Sequence, residues 1–131
     1  MREDKSPMFF SHHLSLVTYH LTNAMAASRI DIFRMMLEGD PDNTAVMFGL
    51  AKEYEKAGRF DEMVEVLADY LQRADDEGNA YGMLAAAYLK LGNRDAARRA
   101  YERGAEVAQA HGHPSMAQDY RFAVETEFDE D

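Results

Sequence analysis

Histidines are the residues whose spacing first suggests chemistry, because two imidazoles held close together can share a transition-metal ion. His111 and His113 flank a glycine, and His12, His13 and His20 lie near one another in the chain. Neither set has an aspartate or glutamate at a ligand spacing to complete it, and neither falls on the pattern of a rigid element. Ordinary surface histidines are therefore expected, with no metal. The densest internal carboxylate group is Asp75, Asp76 and Glu77, which falls between two helical patterns. Catalytic acids need a dry pocket to shift their pKa, and a connecting loop offers none, so these carboxylates are expected to be solvated. Gly78 and Gly82 lack the context of a phosphate-cradling loop and fit a helix start and close packing instead. The chain has no cysteine, which excludes disulfides, thiolate zinc sites and thiol nucleophiles. No catalytic residue, no cofactor and no enzymatic activity is expected.

Composition narrows the partners. A chain of 131 residues with 47% hydrophobic residues can bury one core. Its formal net charge of −10 repels a phosphate backbone and an anionic lipid surface, so nucleic acid and membrane are excluded as partners and a basic one is favoured. No apolar run approaches the roughly 20 residues of a membrane-spanning helix. The leading charges Arg2, Glu3, Asp4 and Lys5 cancel, and three histidines interrupt the apolar stretch from Phe9 to Leu21, so a secretion signal is not indicated. With cysteine absent, a cytoplasmic location is expected. Among nine methionines, Met35, Met36, Met47, Met63, Met83 and Met116 mostly fall on apolar stripes and are expected to fill the core.

The elements behind these residues repeat. Sliding the chain against itself by about 34 residues sets Met47, Leu50, Ala51, Tyr54, Gly58, Met63 and Leu67 opposite Tyr81, Leu84, Ala85, Tyr88, Gly92, Ala97 and Tyr101 without a gap. The first four members of each set are spaced i, i+3, i+4, i+7, which makes one apolar helix stripe. Each stripe then meets a glycine able to take the left-handed conformation that ends a helix. Asp61 and Asp95 suit the start of a second helix, whose buried face carries Met63, Val66, Leu67 and Tyr70 in one unit and Ala97, Tyr101 and Ala105 in the next. Upstream, Ile30, Phe33 and Leu37 mark a helix that stops at Gly39-Asp40-Pro41. Residues 9–23 place Phe10, Leu14, Val17 and Leu21 at helical spacing, in register with the repeat only after a slip of one residue. Downstream, Gly112-His113-Pro114 is a break, and Met116, Tyr120, Ala123 and Val124 mark a capping helix.

A large apolar residue, then Leu-Ala, Tyr, Gly, a small residue and an aromatic is the pattern of the tetratricopeptide repeat, which both units resemble. Met63 stands where an alanine is usual, Arg94 where an aromatic is usual, and neither unit closes with the usual proline. The chain is also similar to short bacterial proteins made only of this repeat, through Asp40-Pro41-Asp42-Asn43 and Gly112-His113-Pro114. The resemblance implies an all-α fold of stacked antiparallel helix-turn-helix hairpins, a superhelix closed by a C-terminal capping helix. It covers a domain at 25–128: a partial unit at 25–43, repeats at 44–77 and 78–111, and a capping helix at 114–128. Residues 1–24 are then an N-terminal extension, either one more helix or sequence ahead of a start at Met25, and 129–131 is an acidic tail.

In proteins of this family the first helix of each hairpin lines a concave groove that holds a protein or peptide. By register the groove positions are Ala45, Phe48, Lys52, Glu55 and Lys56 in one unit and Asn79, Gly82, Ala86, Leu89 and Lys90 in the next. Three lysines there, beside Phe48 and Leu89, suit a peptide with an acidic or C-terminal carboxylate group and an apolar anchor. The competing reading is that the lysines solubilise the surface and Phe48 packs on a neighbouring helix. Phe48 and Gly82 also stand where relatives that clamp a chaperone tail carry polar residues, so that ligand is not implied. The alternative function is a self-assembling unit, a homodimer through ragged terminal helices that include Phe9 and Phe10.

Overall fold

Unpaired N–H groups at a helix start need acceptors, and two asparagines supply them. Asn43 Oδ1 accepts from the Val46 N–H and Asn93 Oδ1 from the Ala96 N–H, each at 3.2 Å. The computed structural model describes residue 25 and residues 28–128. Within them six helices follow in order: α1 (residues 28–39), α2 (Thr44–Lys56), α3 (Phe60–Arg73), α4 (Asn79–Lys90), α5 (Arg94–Ala110) and α6 (Pro114–Phe128). The fold is all-α, with helices packed in sequence as pairs. The extension 1–24, residues 26 and 27 and the tail 129–131 lie outside the described residues.

One turn device recurs. Gly58, Gly92 and Gly112 hold φ of +71°, +78° and +80°. The N–H after each reaches back to a helix carbonyl, Arg59 to Tyr54 at 2.9 Å, Asn93 to Tyr88 at 2.9 Å and His113 to Ala108 at 2.8 Å. A side chain at these glycines would be strained by the left-handed backbone alone.

The expected stripes form the core. Met47, Leu50, Ala51 and Tyr54 of α2 are buried, as are Met63 and Leu67 of α3, and Ile30 joins them from α1. Gly49 gives α1 its close approach, since a Cβ there would lie 3.3 Å from the Phe33 ring. Among the described residues the buried charged one is Glu53, 7% exposed, which ties α1 to α2. Its carboxylate accepts from Arg29 Nε at 2.8 Å and Lys56 Nζ at 3.3 Å. The Arg29 hydrogen bond holds its pKa below the ordinary carboxylate value, against the opposing effect of burial.

Two expectations are corrected. Met35 and Met36 are 67% and 46% exposed, because α1 turns its Ile30, Phe33 and Leu37 edge to the core and carries these methionines on the other side. Tyr54 and Tyr88, equivalent by register, differ in burial: Tyr54 is 5% exposed and Tyr88 half-buried. Arg59 lies 5.1 Å from the Tyr54 ring centre and is anchored by Glu62 at 2.6 Å. Asn93 and Ala96, the equivalents of Arg59 and Glu62, are too short to cover Tyr88.

Candidate partner-binding groove

Helices α2 and α4 position the ten register-derived residues, and α3 packs against both. Ala45, Lys52, Glu55 and Lys56 are exposed on α2, and Asn79, Ala86 and Lys90 on α4, while Phe48, Gly82 and Leu89 are half-buried. They do not form one uniform surface. Lys56 is committed to Glu53. Phe48 stacks on Tyr70 of α3 with ring centres 5.3 Å apart, and Lys52 Nζ lies over the Phe48 ring at 4.9 Å. Lys52 and Lys90 make no ion pair among the described residues.

Gly82 is covered by α6. A Cβ on it would fall 2.6 Å from the Tyr120 hydroxyl, and that hydroxyl donates to the Gly78 carbonyl at 2.8 Å. A Cβ on Gly104 would meet Tyr81 Cβ at 2.7 Å and Tyr120 Cε2 at 2.9 Å. The two glycines together make the slot for the Tyr120 ring. Of the expected groove, Gly82 is thus taken by Tyr120 and Lys56 by Glu53, while Ala45, Lys52 and Glu55 on α2 and Asn79, Ala86 and Lys90 on α4 stay exposed beside the edges of Phe48 and Leu89.

The loops beside these helices do more than meet solvent. Asp76, expected to be solvated, caps α4: its Oδ2 accepts from the Gly78 and Ala80 N–H groups at 2.9 and 3.0 Å, and its Oδ1 from the Tyr70 hydroxyl at 3.1 Å. The neighbouring carboxylates face the two loop histidines. His111 Nε2 lies 3.3 Å from Asp75 Oδ1, and His113 Nε2 lies 2.5 Å from Glu77 Oε1. His111 also donates from Nδ1 to the Val107 carbonyl at 2.9 Å, and this bond, then Asp75, raises its pKa. These contacts join residues 36 apart in the chain, so no local spacing could reveal them. Among the described residues no three histidine, aspartate or glutamate side chains converge to hold a metal ion.

Two further clefts are register copies of each other. One is lined by Leu50, Tyr54, Glu62, Glu65, Val66 and Asp69, with Arg34 of α1 at its edge. The other has Leu84, Tyr88, Ala96, Arg99, Ala100 and Arg103, with Tyr81. The charge therefore reverses from Glu65 and Asp69 to Arg99 and Arg103. Arg59 and Arg73 offset much of the acidic side by pairing with Glu62 and Asp69.

No helix among the described residues is long and apolar enough to cross a membrane. A search of curated proteins finds no match. The tetratricopeptide repeat profile, of a family that is typically non-catalytic, matches residues 78–111. That span holds α4, its glycine turn and α5, which together form a tetratricopeptide repeat.

Proposed function

We propose that this protein is a cytoplasmic interaction scaffold whose α2 and α4 surface holds an extended peptide bearing an acidic group and one apolar anchor. The carrying observation is electrostatic. In a chain of net charge −10, Lys52 and Lys90 project from equivalent helices without a carboxylate partner among the described residues. Phe48 beneath Lys52 adds an apolar edge to the same patch. Lys56, which the register also places there, serves Glu53 and contributes less. Because Tyr120 fills the space beside Gly82, the surface is short and affinity is expected to be modest.

The test uses acidic peptides that carry a single aromatic or aliphatic residue, with binding followed by fluorescence anisotropy. Lys52→Glu with Lys90→Glu weakens binding by about tenfold or more, a loss of roughly 1.4 kcal/mol, and leaves helicity unchanged. Equal affinity for the charge-reversed variant refutes the reading.

A further inference from the structure

Helix α1 is apolar on two opposite sides. Ile30, Phe33 and Leu37 enter the core, while Ile32, Met35 and Met36 are 53%, 67% and 46% exposed and Met25, also helical, is 60% exposed. At about 100° per residue the exposed set makes its own stripe, away from the first. A helix with two apolar stripes is an inner helix with a neighbour on each side. The position of the missing neighbour can be read from the later units. Val66 and Asp69, the register equivalents of Ile32 and Met35, share a cleft with Leu50 and Tyr54 of the preceding helix. Ala100 and Arg103 do the same with Leu84 and Tyr88. The uncovered stripe of α1 thus faces the place of a helix that precedes it.

Residues 9–23 carry the matching apolar spacing, yet the connection differs from the other hairpins. The α2–α3 and α4–α5 turns depend on Gly58 and Gly92 with left-handed φ. In direct register Ala24 stands opposite Gly58, and with the slip of one residue that aligns 9–23 it is Met25; both resist that conformation. Met25, the equivalent of the non-helical cap Arg59, is helical. Ala24-Met25-Ala26-Ala27 is a run of strong helix formers with no turn signal. Without a turn residue there, a hairpin that lays residues 9–23 on α1 of the same chain is disfavoured, whereas the same residues of a second copy can reach it. We infer that the outer face of α1 is a homodimer interface, in which residues 9–23 of each copy cover Met25, Ile32, Met35 and Met36 of the other. A two-fold exchange of this kind covers both faces at once and closes the assembly.

Light scattering over a concentration series is expected to show a dimer that dissociates in Ile32→Glu with Met35→Glu, with circular dichroism unchanged. A monomer throughout, or a dimer indifferent to these substitutions, overturns the proposal. Ala24→Gly supplies the missing turn residue and is expected to raise the dimer dissociation constant about tenfold; an unchanged constant overturns the exchange. The absence of cysteine allows a direct topological check, with Val17→Cys and Met35→Cys bridged by a short bismaleimide. Links between two chains are expected, and links within one chain overturn it.

Discussion

Three register columns show how single residues trade volume along the array. Phe48 and Tyr70 of one unit, with Ala86 of the next, correspond to Gly82, Gly104 and Tyr120 one period later. Where Phe48 and Tyr70 stack, at 5.3 Å, the third position is small; where two glycines open a slot, a tyrosine fills it. Glycine inside a helix is disfavoured relative to alanine by roughly 0.5–1 kcal/mol, so Gly104→Ala would stabilise α5 if space allowed. Space does not allow it, because the nearest atom to an added Cβ is Tyr81 Cβ at 2.7 Å, which cannot move without its helix backbone. Overpacking costs roughly 1–3 kcal/mol and exceeds the propensity gain. Gly104→Ala is therefore expected to be destabilising by about 1–2 kcal/mol in urea unfolding, and Tyr120→Phe should give no relief. Gly82→Ala differs in a checkable way. Its closest contact is the Tyr120 hydroxyl at 2.6 Å, so Tyr120→Phe should recover part of that loss. A neutral or stabilising Gly104→Ala would show that the slot is looser than these distances.

Between the elements, stability rests on loops that the sequence describes poorly. The helical stripes and turn glycines were legible because helix packing follows local period, and Met47, Leu50, Ala51, Met63 and Leu67 are buried where the spacing puts them. The triplet Asp75, Asp76 and Glu77 was not, because its partners come from the end of α3, the start of α4 and the α5–α6 loop. Asp76→Ala should remove the α4 cap and destabilise by about 1 kcal/mol, with faster hydrogen exchange concentrated at the first turn of α4. The His111 contacts give a pH dependence of defined sign. His111 has a folded pKa above its ordinary value of 6.5, so its contribution is complete below that value and is lost as the pH rises through the folded pKa. Glu53 behaves oppositely: its folded pKa lies below 4.5, so its contribution is present above that value and is lost as the pH falls through the folded pKa. Melting temperature followed against pH should thus fall on the alkaline side of the His111 titration, and His111→Gln should abolish that limb. Persistence of the limb in His111→Gln would assign it to another group.

Across the whole molecule, each end of the array presents a different problem, and the sequence disclosed only one solution. The capping role of α6 could be read from the break at Gly112 and the restart at Pro114. Its closing anchor could not, since Phe128 sits among acidic residues that suggest solvent. Phe128 is 3% exposed, packed beside Tyr101 at 6.4 Å with the Arg94 and Arg98 guanidinium groups 5.2 and 5.6 Å from its ring. Arg94 also donates to the Glu127 carbonyl at 2.7 Å, so both ends of α6 are held, by Tyr120 on Gly78 and by Phe128 on α5. In an array where each unit touches only its neighbours, damage should spread by one interface at a time. Ending the chain after residue 111 would uncover the slot at Gly82 and Gly104 and the buried Ala105 and Ala108. Hydrogen exchange in that variant is expected to lose protection throughout α4 and α5, while α2 and α3 keep most of theirs through Leu50, Tyr54, Met63 and Leu67. The single substitution Phe128→Ala, which spares Tyr120, should release only the last turns of α6 and the facing start of α5. Uniform loss across all helices in either variant would mean that the chain folds as one indivisible unit, and that the repeat supplies its geometry without dividing its stability.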